Sequence, residues 1–276
     1  MNNKIIDGKK VSLELKEELI KKVSLLDKKL TLVVISVGND EASKVYVKQK
    51  EKMALKVGYD FLNLHFDLIE ENDLIKKIEE LNNAPKITGI IVQLPLPSYL
   101  NKDNISNKIS PLKDVDGLTN NNLLKLVKKQ EGLVPCTPKG IISLLDYYKI
   151  DVVGKNVVIV GRSELVGLPL FHLLLNKNAT VTLCHSKTKD LKYYTKEADI
   201  LIVAVGKSEF ITPDMIKENA CLIDVGINRV DGKLYGDCDR NCIDKSSLIT
   251  PVPGGVGPMT VISLMENVYL ANELQK

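Results

Sequence analysis

Apolar residues fall in short runs separated by longer mixed stretches along most of the chain. TLVVISVG, from Thr31 to Gly38, is apolar at nearly every position and reads as a strand buried on both faces. ITGIIVQLPLP, from Ile87 to Pro97, holds a second strand, which its prolines end. Between them the spacing predicts a helix from about Ala42 to Lys56, a weaker strand near Tyr59–Phe66 and a helix near Asp73–Leu81. The second half repeats the style without repeating the sequence, with strands expected at Val157–Val160, Val181–Cys184, Ile200–Ala204 and Leu222–Val225 and helices between them. Such alternation argues for α/β architecture: two domains, each a mostly parallel sheet flanked by helices. The polar, turn-rich ISPLKDVDGLTNNN, Ile109 to Asn122, is the expected join, giving domains 1–120 and 121–259. A helix from Pro138 to Lys149 is expected to bridge the halves, and a last helix, Thr260 to Leu274, follows the glycine-rich PVPGGVGPMT.

The stretch VIVGRSELVGLP, Val158 to Pro169, gives the second domain a chemistry. An apolar run ends in Gly161, a turn follows, and Gly167 opens a helical pattern. A strand, a glycine turn and a helix N-terminus in this order cradle a dinucleotide pyrophosphate in a Rossmann-type domain. Gly161 supplies the turn and Gly167 the close helix packing; Ser163 stands where a middle glycine is usual, and Arg162 sits inside the turn. Glycine turns after strands are common, so the following strand carries the argument further. It ends in His185, Ser186 and Lys187, where an acidic residue would bind the ribose 2′-hydroxyl of NAD. A hydroxyl, a lysine and nearby Arg162 attract a 2′-phosphate instead, so the expected cofactor is NADP. A polar strand end facing solvent is the plainer alternative.

Composition narrows the rest. The 276 residues, 44% of them hydrophobic, suit one large or two ordinary globular domains with substantial cores. Net charge is +3, from 38 Lys+Arg against 35 Asp+Glu, which suggests no nucleic-acid partner. No apolar run reaches membrane-spanning length and no signal core opens the chain, so no membrane partner is expected. Five scattered cysteines without a C-x-x-C pair fit a reducing, cytoplasmic compartment. No His, Cys or carboxylate cluster has metal-ligand spacing, so no metal is expected.

Several stretches could carry catalysis. In ASKVYVKQK, Ser43, Tyr46 and Lys50 share one helix face, setting an aromatic ring beside an amine that can take part in proton transfer. The same spacing also occurs on solvated faces. Gln93 directly follows a buried strand, at the sheet edge where ligands of open α/β folds bind, and its amide could fix Lys50. In KDVDG, Asp114 and Asp116 could bind an amino-pyrimidine through paired bonds or simply form Asx-turns. The glycines of PVPGGVGPMT allow close backbone approach to a ligand or make a tight loop before the last helix.

In their order and spacing, IIDGK, ASKVYVKQK, VQLPLP, PLKDVDG, PCTPKG, VGRSELVGLP, ATVTLCHSKT, DVGIN and PVPGGVGPMT resemble the bifunctional methylenetetrahydrofolate dehydrogenase/cyclohydrolase family nearly end to end. The resemblance implies NADP-dependent oxidation of 5,10-methylenetetrahydrofolate to the methenyl form, then hydrolysis to 10-formyltetrahydrofolate, in one-carbon metabolism. It makes Lys50 the central catalytic residue, with Tyr46 stacking on the folate, Gln93 bonding Lys50 and Asp116 holding the pterin edge. Ser43, Pro253, Gly254 and Gly255 would complete the folate contacts, and Gly161, Arg162, Ser163, Ser186 and Ile227 would bind the cofactor. It further implies a cleft between the domains, a last helix (260–276) that returns to the first domain, and a homodimer. Leu165, Val205 and the GDCDR stretch at Gly236–Arg240 depart from the family's usual residues, outside the catalytic set. A shikimate dehydrogenase-like enzyme and a non-enzymatic NADP sensor are the competing readings.

Overall fold

A computed structural model describes residues 4–276. In chain order the elements are α1 (Gly8–Val23), β1 (Thr31–Val37), α2 (Glu41–Val57), β2 (Asp60–Phe66), α3 (Glu71–Asn83), β3 (Gly89–Val92), α4 (Lys102–Ser106) and α5 (Asn120–Val127). They continue with α6 (Cys136–Tyr147), β4 (Asn156–Val160), α7 (Gly167–Asn176), β5 (Thr180–Cys184), α8 (Leu191–Thr195), β6 (Ile200–Val203) and β7 (Cys221–Asp224). The last are β8 (Asn228–Val230), β9 (Lys233–Tyr235), α9 (Cys242–Lys245), β10 (Leu248–Ile249) and α10 (Val256–Leu274). The chain forms two compact units.

The three-stranded unit comprises Glu14–Cys136 and Val261–Lys276. Its sheet is parallel in the order β2-β1-β3. Every residue of β3 is buried, and Leu32 to Ile35 of β1 are fully so, which explains why these strands read as unbroken apolar runs. β2 lies at an edge and alternates in exposure. α3 covers the sheet with Leu74, Ile78 and Leu81, spaced four and three apart on one helix face. Burial of each such side chain stabilises the unit by about 1.5–3 kcal/mol. α2 begins at Asp40, whose carboxylate accepts from Ser43 N at 2.7 Å. The C-terminal part of α10 belongs here too: Tyr59 Oη donates to the Met265 carbonyl at 2.9 Å inside the core. By compactness the two units part between Cys136 and Thr137. The stretch from Ile109 to Cys136 is tied to the rest of this unit by Ile90 N on the Lys113 carbonyl at 2.7 Å and by Asn267 Nδ2 on the Val134 carbonyl at 2.8 Å.

The five-stranded unit comprises the stretch up to Leu13 and Thr137–Thr260. Its sheet is all parallel, in the order β10-β7-β6-β4-β5. β4 is followed by β5 on one side and β6 on the other, so the chain reverses direction across the sheet between β4 and β6. Ligands of open α/β sheets bind at the carboxyl ends of strands at such a point. β6 and β7 are buried at every position. The N-terminal stretch extends the far edge: Ile6 N donates to the Ile249 carbonyl at 2.8 Å and Ile249 N to the Lys4 carbonyl at 2.7 Å. The β8–β9 hairpin was not anticipated, although Asp231-Gly232 between its strands is a recognisable two-residue turn, with φ of 48° and 76°. α1, α4, α5 and β10 were also not expected. Among the described residues, no helix is long and apolar enough to cross a membrane.

Candidate functional site

In the three-stranded unit, α2 and the end of β3 bring the proposed catalytic residues together. Lys50 Nζ donates to Gln93 Oε1 at 2.8 Å. Gln93 is buried, its backbone N–H continues the sheet to the Ile35 carbonyl at 2.8 Å, and its Nε2 donates to the Leu94 carbonyl at 2.7 Å. With the amide nitrogen committed to a carbonyl, the amide oxygen must face the amine, so the orientation of Gln93 is dictated by its partners. Tyr46 lies one turn before Lys50 on α2 and is 44% exposed, leaving a ring face open to a ligand. Ser43, a candidate substrate contact, is buried, and its hydroxyl donates to the Leu94 carbonyl at 3.4 Å, tying the start of α2 to the Gln93 turn.

The two carboxylates of KDVDG have separate fates. Asp114 is buried and accepts from Gly117 N at 3.0 Å, Leu118 N at 3.2 Å, Thr119 N at 2.8 Å and Asn122 Nδ2 at 2.9 Å. Burial pushes its pKa up against these bonds. It is an internal fastener, not half of a ligand-binding pair. Asp116 remains half-buried. Around it the backbone is held on both sides. Asn267 Nδ2, from α10, donates to the Val115 carbonyl at 2.9 Å and the Val134 carbonyl at 2.8 Å. Gly117 has φ +72°, and a Cβ there would lie 2.5 Å from the Val134 carbonyl carbon. Lys113, also buried, donates to the carbonyls of Leu81 at 3.1 Å and Ala84 at 2.8 Å, and burial lowers its pKa.

In the five-stranded unit, the loops after β4 and β5 emerge side by side, with Val160 paired to Cys184 and Gly161 N donating to the Cys184 carbonyl at 2.9 Å. Gly161 has φ +121°, and a Cβ on it would overlap the Ala204 carbonyl at the end of β6. A Cβ on Gly167 would overlap the Gly161 carbonyl, so both glycines are required by close backbone approach. Val166 offers no side-chain cap to α7, and in its first turn Leu168 N donates to the Ser163 carbonyl at 3.0 Å. Arg162 and Ser163 are exposed in the turn, and the Ser163 hydroxyl accepts from Val166 N at 3.2 Å. The next loop is shaped by the Thr188 hydroxyl, which accepts from His185 N at 2.9 Å, and leaves Ser186 and Lys187 exposed. These residues fit a 2′-phosphorylated dinucleotide: a glycine turn carrying an exposed Arg162, a helix start without a side-chain cap, and a hydroxyl and lysine where a carboxylate would repel. Ile227 is 49% exposed after β7, with its Cδ1 3.5 Å from where a Gly257 Cβ would stand. Pro253 is exposed, and Gly254 accepts from Lys9 N at 2.9 Å.

Two buried carboxylates between these loops went unnoticed in the sequence. Asp237, with no exposed surface, accepts from Val205 N at 2.6 Å, Gly206 N at 3.0 Å, Lys207 N at 2.9 Å and Asn228 Nδ2 at 2.9 Å. Asp224, ending β7, accepts from Gly226 N at 3.0 Å, Asp237 N at 2.9 Å and Cys238 N at 2.9 Å. Burial, reinforced by the nearby Asp237 charge, pushes Asp224 up to about 6 despite these bonds. In sequence the signal is weak: Asp224 ends an apolar run and Asp237 lies in the mixed stretch GDCDR, and all but one of their partners here are backbone N–H groups that no spacing rule reveals. Among the described residues, no cluster of three or more His, Cys, Asp or Glu could hold a metal ion.

Comparison with known proteins identifies this arrangement. Residues 6–116 match the catalytic-domain model of tetrahydrofolate dehydrogenase/cyclohydrolase, and residues 135–276 match its NAD(P)-binding-domain model. The chain is 49% identical to bifunctional protein FolD of Thermodesulfovibrio yellowstonii, over 100% of this chain and 99% of that one. It is similar to the crystal structure of the bifunctional methylenetetrahydrofolate dehydrogenase/cyclohydrolase FolD of Campylobacter jejuni, with a TM-score of 0.97, 45% identity and 99% of each chain covered. The Trypanosoma brucei dehydrogenase-cyclohydrolase, solved with NADP cofactor and inhibitor, has a TM-score of 0.92 and 33% identity over 98% of this chain and 97% of that one. With both domain models matched in order and relatives aligned along the whole length, the chain belongs to the tetrahydrofolate dehydrogenase/cyclohydrolase family.

Proposed function

We propose that Lys50, Gln93, Tyr46 and Asp116 are the residues with which this enzyme handles its folate substrate. The enzyme oxidises 5,10-methylenetetrahydrofolate to 5,10-methenyltetrahydrofolate with NADP⁺ and hydrolyses that product to 10-formyltetrahydrofolate. Gly161, Arg162, Ser163, Ser186 and Ile227 hold the cofactor, whose nicotinamide, when bound, supplies the hydride acceptor. Arg162 and Ser186 face the 2′-phosphate in this reading, which rests on the neighbouring loops after β4 and β5. Tyr46 offers its ring to the pterin, and Asp116 accepts from the amino-pyrimidine edge. Ser43 supports this surface, while Pro253, Gly254 and Gly255 are further folate contacts.

The observation that carries the proposal is the Lys50–Gln93 pair at 2.8 Å. In the second step, water adds to the methenyl carbon, one carbon–nitrogen bond opens, and one proton is released overall. A group beside that carbon must handle the proton. Gln93 takes one N–H of Lys50 and so aims the rest of the amine outward; Lys50 is the group this geometry prepares for the task. The same reading has the enzyme acting in the cytoplasm as a homodimer, supported by five buried thiols, none of them in a disulfide, and by the exposed edge strand β2.

The test supplies methylenetetrahydrofolate with NADP⁺ or NAD⁺ and follows reduced cofactor and the methenyl intermediate separately. Lys50→Met is expected to abolish methenyl hydrolysis while leaving NADPH binding intact and part of the oxidation in place. Full hydrolysis in that variant would overturn the assignment of Lys50. Sedimentation of the purified enzyme at micromolar concentration reads the dimer directly.

A further inference from the structure

We propose that Asp237 is a positioning residue for the cofactor, fastening the loops after β6 and β7 in one arrangement before NADP arrives. The carboxylate makes no contact with solvent, so its role is internal. Its four donors come from two loops. Three are the successive backbone N–H groups of Val205, Gly206 and Lys207, which converge as an anion-binding nest. The fourth is Asn228 Nδ2, one residue beyond Ile227. Both loops leave the carboxyl ends of central strands, where a dinucleotide binds.

The first loop also abuts the dinucleotide turn. Ala204, just before the nest, has its carbonyl where a Gly161 side chain would stand. A nest left open would be free to compete for a phosphate. Filled from within by Asp237, it becomes rigid and leaves the anion to α7. Two glycines make room for the device: a Cβ on Gly226 would overlap the Asp237 carboxylate, and one on Gly236 would overlap that of Asp224. Asp224 in turn holds the Asp237 backbone N–H. Of Val205, the backbone N–H is the group Asp237 holds, whatever its side chain. A loop ordered in advance does not have to be ordered on binding, so the consequence is read in cofactor affinity.

The test is Asp237→Asn in the full-length enzyme. An amide keeps the volume but sets an NH₂ group against N–H donors. NADPH affinity, followed by its fluorescence, is expected to weaken at least tenfold, and KM for NADP⁺ to rise accordingly. Hydrolysis of methenyltetrahydrofolate without cofactor is expected to stay within about twofold, because Lys50 and Gln93 lie in the other unit. NADPH binding within twofold of the parent overturns the proposal. So does an equal loss of NADPH binding and of hydrolysis, which would make Asp237 a support of the fold alone. If Asp237→Asn fails to fold, Asn228→Ala reads the same contact from its donor side. A threefold or larger loss of NADPH affinity with unchanged hydrolysis is then expected, and no loss overturns the proposal.

Discussion

Replacing Gly117 with alanine adds one methyl group where the loop carrying Asp116 has no room for it. The residue sits at φ +72°, a left-handed conformation that costs a non-glycine residue about 1–2 kcal/mol. The new Cβ would stand 2.5 Å from the Val134 carbonyl carbon, 2.6 Å from Pro135 N and 2.8 Å from the Val134 oxygen. These are backbone atoms, and ordinary contacts begin near 3.4 Å, so the loop must retreat by about 1 Å. Asp116 is the preceding residue and moves with it. A misplacement of that size costs about 100-fold in rate. The expected outcome is a fall of that order in kcat/KM for methylenetetrahydrofolate and for methenyl hydrolysis alike, with NADPH affinity unchanged. Urea unfolding is expected to lose about 2–4 kcal/mol, combining the conformational cost with the overlap. Both activities within threefold of the parent would refute the argument that this glycine sets the position of Asp116.

Ser186→Asp is expected to lower kcat/KM for NADP⁺ at least tenfold, through repulsion of the 2′-phosphate, and to leave NAD⁺ within threefold; an unchanged preference counts against the phosphate assignment. Asn267→Ala removes the donors to the Val115 and Val134 carbonyls and should cost about 2–4 kcal/mol in urea unfolding, with a raised KM for the folate; a loss below 0.5 kcal/mol, on the order of an ordinary surface change, would show the contacts idle. Carboxyl carbon NMR should find Asp224 titrating near pH 6, against about 3.9 for a free aspartate, and a midpoint below about 4.5 would contradict its burial as the cause. Because the folded pKa is the higher one, this group favours the folded state fully below pH about 4 and loses that contribution as pH rises through 6, worth about 3 kcal/mol in all.

The strands and the dinucleotide turn were legible because burial on both faces leaves an unbroken apolar run and because close backbone approach admits only glycine. β1, β3, β4, β6 and β7 all lie where such runs fell, and Gly161 and Gly167 stand against backbone atoms. The Lys50–Gln93 contact was legible because helix period and strand termination are local properties. Asp114 and Asp116 looked alike in sequence, since what separates them is the set of N–H groups that the following turn points back at Asp114. The same holds for Asp237, three of whose partners are backbone N–H groups some thirty residues upstream. The division of the chain was hidden for another reason. The first residues pair beside β10, and the end of α10 supplies Met265 and Asn267 to the three-stranded unit, both through contacts more than a hundred residues apart in sequence.

Thr137 and Thr260 share a hydrogen bond at 2.9 Å across 123 residues of chain, at the two ends of the segment that interrupts the three-stranded unit. This bond bears on the order of assembly. Asn267 and Val134 are 133 residues apart, and joining them directly is entropically expensive. Once the five-stranded unit has formed and its ends have met, that separation shrinks by the 123 residues between the threonines, to 10. The entropy of closing the loop falls by about 2 kcal/mol. A route in which residues 137–260 close on themselves first therefore brings the two pieces of the three-stranded unit within ten residues of chain of each other, an almost local problem.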